Sequence, residues 1–169
     1  MLETERLILR KLNENDADAI FNNWASDPEV TKYLTWPAHE NIEVTKRVVD
    51  RWLKEEKDPK TIRFIITLKD NDEPIGSIDV VGYIDGNPEI GYCLSRKYWN
   101  QGIMTEACKA FVKHLFNKGF NKVLIKAVVE NIASNRVIEK CGFKFTHQEY
   151  LEHQSSFKPN PVTLNCYEY

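Results

Sequence analysis

The strongest constraint on this chain is a change of hydrophobic period at Ile62. Ile62 to Leu68, Ile75 to Val81 and Pro88 to Leu94 are short runs rich in apolar and β-branched residues, with Lys69–Pro74 and Asp85-Gly86-Asn87 as the turns between them. Polar turns of this length join neighbouring strands back to back, so the spacing predicts an antiparallel three-strand meander. The last run leads through a polar stretch, Ser95 to Gly102, into Met104, Ala107, Cys108, Phe111 and Leu115, which recur at helical spacing up to Gly119. A strand that runs through a turn into an amphipathic helix is the central unit of the fold.

The flanks add elements of both kinds. Arg6 to Leu12 reads as a first strand; Ala17, Ile20, Phe21 and Trp24 as a helix ending near Ser26; Ser26-Asp27-Pro28-Glu29 as a fresh helix start. Asn41 caps a longer helix carrying Val44, Val48, Val49, Trp52 and Leu53. Lys122 to Val129 is β-branched, Ser134 to Lys140 is a short helix stopped by Gly142, and Lys144 to Leu151 and Leu164 to Tyr169 supply two last strands. This order predicts a mixed α/β (α+β) domain, a twisted and mostly antiparallel sheet flanked by helices. No repeat or linker divides residues 1–169, so a single domain is expected.

The composition excludes several function classes. No apolar run approaches the roughly 20 residues of a membrane span, and the acidic N-terminus is unlike an export signal, so no membrane role and a cytoplasmic location are expected. The net charge is -2 and the cations are scattered, which argues against direct nucleic-acid binding. Cys93, Cys108, Cys141 and Cys166 form no Cys-x-x-Cys pair, and His39, His114, His147 and His153 follow no metal-ligand spacing; reduced cysteines and no metal are expected.

The strand-to-helix junction has chemistry of its own. The first amides of a helix lack intrahelical acceptors and carry the positive end of the helix dipole, so they bind phosphate oxygens, and Gly102 removes a side chain that would hold a pyrophosphate away. Neither the P-loop nor the dinucleotide glycine pattern is present. An anion held here is held by another motif.

In its ordered blocks the chain resembles the GNAT superfamily of N-acetyltransferases, and within it the Rim-type, ribosomal-protein-alanine branch. The blocks are Glu3 to Arg10, Asp27-Pro28-Glu29-Val30, Trp36-Pro37, Glu89 to Leu94, Trp99 to Ala107, Glu130 to Arg136 and Glu139 to Phe143. The superfamily's Gln/Arg-x-x-Gly-x-Gly/Ala falls on Trp99 to Met104, where Gly102 agrees strictly. The resemblance implies acetyl-coenzyme A as co-substrate, with the sheet splayed between the Glu89–Leu94 strand and the Lys122 strand to admit pantetheine. It implies coenzyme contacts from Tyr92, Cys93, Leu94, Asn100, Gln101, Gly102, Ile103, Met104, Thr105, Asn131, Ser134 and Arg136. It also implies direct attack of an amine on the thioester.

Under that resemblance Ser134 is the candidate to protonate the leaving thiolate, alongside a simpler role as helix cap, and Glu89 is the candidate base. A backbone amide near Tyr92 or Cys93 is expected to polarise the acetyl oxygen. At pH 7 about a tenth of an α-amine is neutral, against less than about one part in a thousand for lysine, so a site without a strong base favours a protein N-terminus as acceptor. A small-molecule amine is the second reading and a non-catalytic coenzyme A sensor the third. A homodimer is compatible with the chain, and no feature demands it. Arg96, Lys97 and Lys140 are further candidates, with Arg136, for the coenzyme's 3′-phosphate.

Overall fold

The computed structural model describes residues 1–169. One eight-stranded sheet runs through the molecule: β1 (Leu2–Glu3), β2 (Leu7–Arg10), β3 (Arg63–Leu68), β4 (Pro74–Ile84), β5 (Asn87–Leu94), β6 (Leu124–Val128), β7 (Lys144–Leu151) and β8 (Val162–Glu168), in the spatial order β1-β2-β3-β4-β5-β6-β8-β7. Every neighbouring pair is antiparallel except β5 and β6. The expected meander is β3-β4-β5. The expected first strand is confined to Leu7–Arg10, and a two-residue strand at Leu2–Glu3, too short to leave a period, pairs with it.

Helices cover both faces. On one lie α1 (Ala17–Ile20), which runs on as a π-helical turn over Phe21–Ala25, then α2 (Pro28–Thr31) and α3 (Ile42–Glu55). They bury Ile20, Trp24, Val30 and Val49 against Ile65 and Cys93. Trp52, on the same stripe, is half-buried, with the Arg63 guanidinium 4.5 Å above its ring. On the opposite face lie α4 (Ile103–Asn117) and α5 (Ile132–Cys141), whose Ile103, Phe111, Leu115 and Ile138 pack on Leu7, Ile66, Ile78, Ile90 and Ile125. Each such side chain contributes about 1.5–3 kcal/mol on leaving water, so the two layers clamp the sheet from both sides. No helix is long and apolar enough to cross a membrane.

One local reading is corrected. The last helix begins at Ile132, two residues before Ser134, because Asn131 rather than Ser134 is its N-cap: the Asn131 side chain accepts from the Ser134 amide at 3.2 Å. All four cysteines are buried, but His147, Glu149 and Cys166 do converge, their ligand atoms within 4.8 Å of one another, through cross-strand pairing that no linear spacing reveals. The Lys126 ammonium already stands 2.9 Å from the Glu149 carboxylate in that cluster.

Candidate active site

The sheet opens where β5 meets β6. The parallel pairing covers only Glu89 with Leu124 and Ile90 with Ile125, whereas β5 continues to Leu94 and β6 to Val128. Beyond Ile90 the two strands part. On the β4 side β5 stays paired, and the Ser95 amide donates to the Ile75 carbonyl. Antiparallel pairing alternates, so the amides of Cys93 and Gly91 also turn to β4, leaving those of Tyr92 and Leu94 on the open edge. That alternation separates Cys93 from the other expected coenzyme contacts. Its thiol also faces away, packed beneath α1 and α3 at 3.3 Å from the Ser77 hydroxyl, and burial pushes its pKa up to about 11.

At the mouth of the opening the chain turns through Arg96–Tyr98 into α4. The Trp99 indole donates to the Leu94 carbonyl at 2.8 Å, which folds the turn against the end of β5. Asn100 (φ 60°) and Gly102 (φ 74°) adopt left-handed backbone, the latter at the N-cap of α4. Glycine takes that conformation without the Cβ strain of other residues. No side chain caps α4, and its first turn closes with the Glu106 amide on the Gly102 carbonyl, so the amides of Ile103, Met104 and Thr105 point out of the helix start. The Ile103 and Met104 side chains are buried, leaving only their backbone to the junction.

Arg6 braces this turn, a role no local spacing announces. Its guanidinium donates to the Gln101 carbonyl at 2.9 Å and to the Glu106 carboxylate at 2.7 Å, while the Thr4 hydroxyl reaches Glu106 at 2.6 Å. Burial opposes the Glu106 charge, yet these bonds hold its carboxyl below the usual range. The block Glu3 to Arg10 contained the signal, as a motif without a stated task. Of the expected phosphate cations, Arg96 pairs with Asp27 at 3.1 Å, Lys97 lies over the Tyr98 ring, and Arg136 and Lys140 are exposed on α5.

Across the opening, α5 presents its first turn. The Tyr92 hydroxyl lies 3.0 Å from Ser134 Oγ and 3.3 Å from the Ser134 carbonyl oxygen. Burial raises the Tyr92 pKa, so the phenol stays neutral. The next residue, Asn135, is a lock that sequence reading left without a role. Its buried amide donates to the carbonyls of Val128 at 3.0 Å and Asn131 at 2.8 Å, and its oxygen accepts from Tyr167 at 2.6 Å and Asn165 at 2.9 Å. Every polar valence of that side chain is used, tying α5 to the ends of β6 and β8.

Glu89 is not brought to Ser134. It stands three residues, about 10 Å along an extended strand, from Tyr92 and on the other face. Its carboxylate lies 3.5 Å from the Lys126 ammonium. Burial works against the Lys126 charge, but Glu149 and Glu89 outweigh it and raise its pKa.

This sheet, parted beside an uncapped helix start, coincides with a family match: residues 6–144 fit the acetyltransferase (GNAT) domain. The chain belongs to the GNAT family. It is accordingly an acetyl-CoA-dependent N-acetyltransferase. It is 32% identical over 146 residues to the uncharacterized N-acetyltransferase p20 of Bacillus licheniformis, covering 85% of this chain and 82% of that one. It is 25% identical over 143 residues to the ribosomal-protein-serine acetyltransferase of Escherichia coli (strain K12), covering 83% and 80%. Among solved structures, the microcin C7 self-immunity acetyltransferase MccE, determined with acetyl-CoA and AMP, superposes with a TM-score of 0.85 at 19% identity, covering 98% of this chain and 93% of that one. The fold of this GNAT chain is therefore shared with a microcin C7 self-immunity acetyltransferase.

Proposed function

We propose that this GNAT domain transfers acetyl from acetyl-CoA directly to an α-amine, in the manner of the Rim-type enzymes it resembles. The carrying observation is that β5 and β6 part next to the free amides at the start of α4. In this reading the amides of Gly102 to Thr105, with Asn100 and Gln101 shaping the turn, hold the pyrophosphate; Tyr92 and Leu94 offer backbone along the pantetheine; and the side-chain NH2 of Asn131, whose oxygen caps α5, adds contacts with Arg136.

The residues divide the chemistry between them. The Tyr92 backbone N–H faces the opening and polarises the acetyl oxygen as the C–N bond forms. Ser134 donates its hydroxyl proton to the coenzyme sulfur as the C–S bond breaks, the neutral Tyr92 phenol holds Ser134 Oγ in place, and Ser134 recovers a proton through water from the newly formed ammonium. The amine proton passes to water. With Glu89 on the opposite face and paired to Lys126, no strong base stands beside Ser134, which supports an acceptor of ordinary α-amine pKa over a lysine side chain.

Kinship to a ribosomal-protein-serine acetyltransferase supports a protein N-terminus; the likeness to MccE, determined with AMP, supports keeping a small molecule as the second reading. The test is thiol release from acetyl-CoA across N-terminal peptides, lysine-only peptides and small amines. Turnover confined to α-amines is expected. Preference for blocked peptides acetylated on lysine would overturn the assignment, and coenzyme A binding without acceptor-dependent thiol would indicate a sensor.

A further inference from the structure

A cleft of about 330 Å³ lies at the far end of β6, immediately before the Asn131–Ser134 turn. Val128 and Val162 are among its apolar lining residues, Tyr33 and Tyr150 also line it, and Glu130 is its one charged lining residue. The hairpin between β7 and β8 borders it through Gln154 and Pro161. Gln154 donates to the Tyr33 carbonyl at 2.9 Å, Ser155 to the Thr35 carbonyl at 2.6 Å, and the Lys158 ammonium binds the carbonyls of Thr31 and Lys32. These bonds stitch residues 154–158 to the chain from Thr31 to Thr35, so the Gln154 side of the cleft is held in place. Its volume suits about ten heavy atoms, on the order of one amino-acid residue.

The charge balance of this cleft is uneven. Lys158 is consumed by carbonyls, and the Lys32 ammonium stacks 5.2 Å from the Tyr33 ring centroid. The exposed Glu130 carboxylate has no ion-pair or hydrogen-bond partner, in contrast to Glu89 and Glu149, which share Lys126. Neither Tyr33 nor Tyr150 commits its hydroxyl to a partner in the chain. An unpaired carboxylate in a cleft that an exposed tyrosine, Tyr150, also lines recognises an organic cation. That cation is not the attacking amine, because a carboxylate beside the reacting nitrogen would hold it protonated.

We propose that this cleft selects acceptors bearing a second cationic group, beyond the amine that is acetylated, with Glu130 as its counter-ion and Tyr150 as its aromatic neighbour. The inference rests on the acetyl-transfer reading and adds the acceptor class: a small basic amine, or a peptide whose residue after the N-terminus is Lys or Arg. Acceptors with a carboxylate or phosphate at that position are disfavoured by the same charge.

The test compares three neutral-start dipeptide amides, Ala-Lys, Ala-norleucine and Ala-Glu, by kcat/KM in thiol release. Wild type should favour Ala-Lys over Ala-norleucine by about five-fold, the scale of one exposed ion pair, and Ala-Glu should be poorest. Glu130→Gln should bring Ala-Lys down to the norleucine value and leave norleucine turnover unchanged. Equal use of the three by wild type, or an unchanged preference in Glu130→Gln, overturns the proposal. If none turns over, equilibrium binding of the same amides to the coenzyme-A-loaded protein makes the comparison, and equal affinities overturn it. Failure of coenzyme A itself to bind would instead count against the underlying acetyl-transfer reading.

Discussion

The Tyr92 hydroxyl and Ser134 Oγ are 3.0 Å apart across the parted strands, joining the middle of the sheet to the first turn of α5. Since burial keeps the phenol protonated, Tyr92 donates and orients rather than acting as a base. Ser134→Ala should therefore lower kcat by about 10² or more with KM for acetyl-CoA little changed. Tyr92→Phe should cost less, about ten-fold, and the double variant should fall short of the product of the two, as expected of residues acting as one unit. Steady-state thiol release measures all three.

Gly102 holds φ at 74° where α4 begins. A side chain there costs about 1–2 kcal/mol and disturbs the amides that face the proposed pyrophosphate. Gly102→Val should raise the Kd for coenzyme A by ten-fold or more, read by calorimetry. Arg6→Ala, which frees the Gln101 carbonyl and Glu106, should weaken coenzyme A by a smaller factor.

Asn135 makes four hydrogen bonds from a buried site. Asn135→Ala strips the buried Tyr167 hydroxyl of its partner and removes one of two donors from the Val128 and Asn131 carbonyls, a loss of about 2 kcal/mol. The urea midpoint should fall accordingly. Because the lock also sets where Ser134 stands, kcat should drop under conditions in which the variant remains folded.

Cys93 carries a pH signature. Its thiol is raised by burial to about 11 in the folded chain, above the unfolded value near 9. The neutral thiol is favoured by folding, so its stability contribution is complete below about pH 9 and is lost as pH rises toward 11. Urea unfolding at pH 8 and pH 10.5 should show a smaller alkaline loss for Cys93→Ala than for wild type; equal losses would contradict this placement of the thiol.

Much of the frame was legible in the chain. The Ile62–Leu94 meander followed from alternation and turn residues, and the Gly102 junction from a strand meeting a helix at a glycine. Both signals lie within a few residues of the structure they produce. The π-helical turn at Phe21–Ala25 and the two-residue β1 left no period to read. Ser134 looked like a cap because Ser before an apolar run commonly is one, but Asn131 competes for the same place and wins by accepting the Ser134 amide.

The sequence by itself determined the elements and the family blocks, because helix and strand periods, caps and turns act over short range. Tertiary structure alone decided which residues share a face and an opening. Tyr92 and Ser134 are 42 positions apart and meet only because β5 and β6 pair for two residues and then diverge. Cys93 and Glu89, inside the same motif, are turned to the other face by the two-residue pleat. The insertion of β8 between β6 and β7 brings Gln154 into the cleft that Glu130 lines, more than a hundred residues from the Tyr33 carbonyl it binds. Such pairings depend on how the whole sheet buries its apolar faces, a property of the packed molecule rather than of any stretch of the chain.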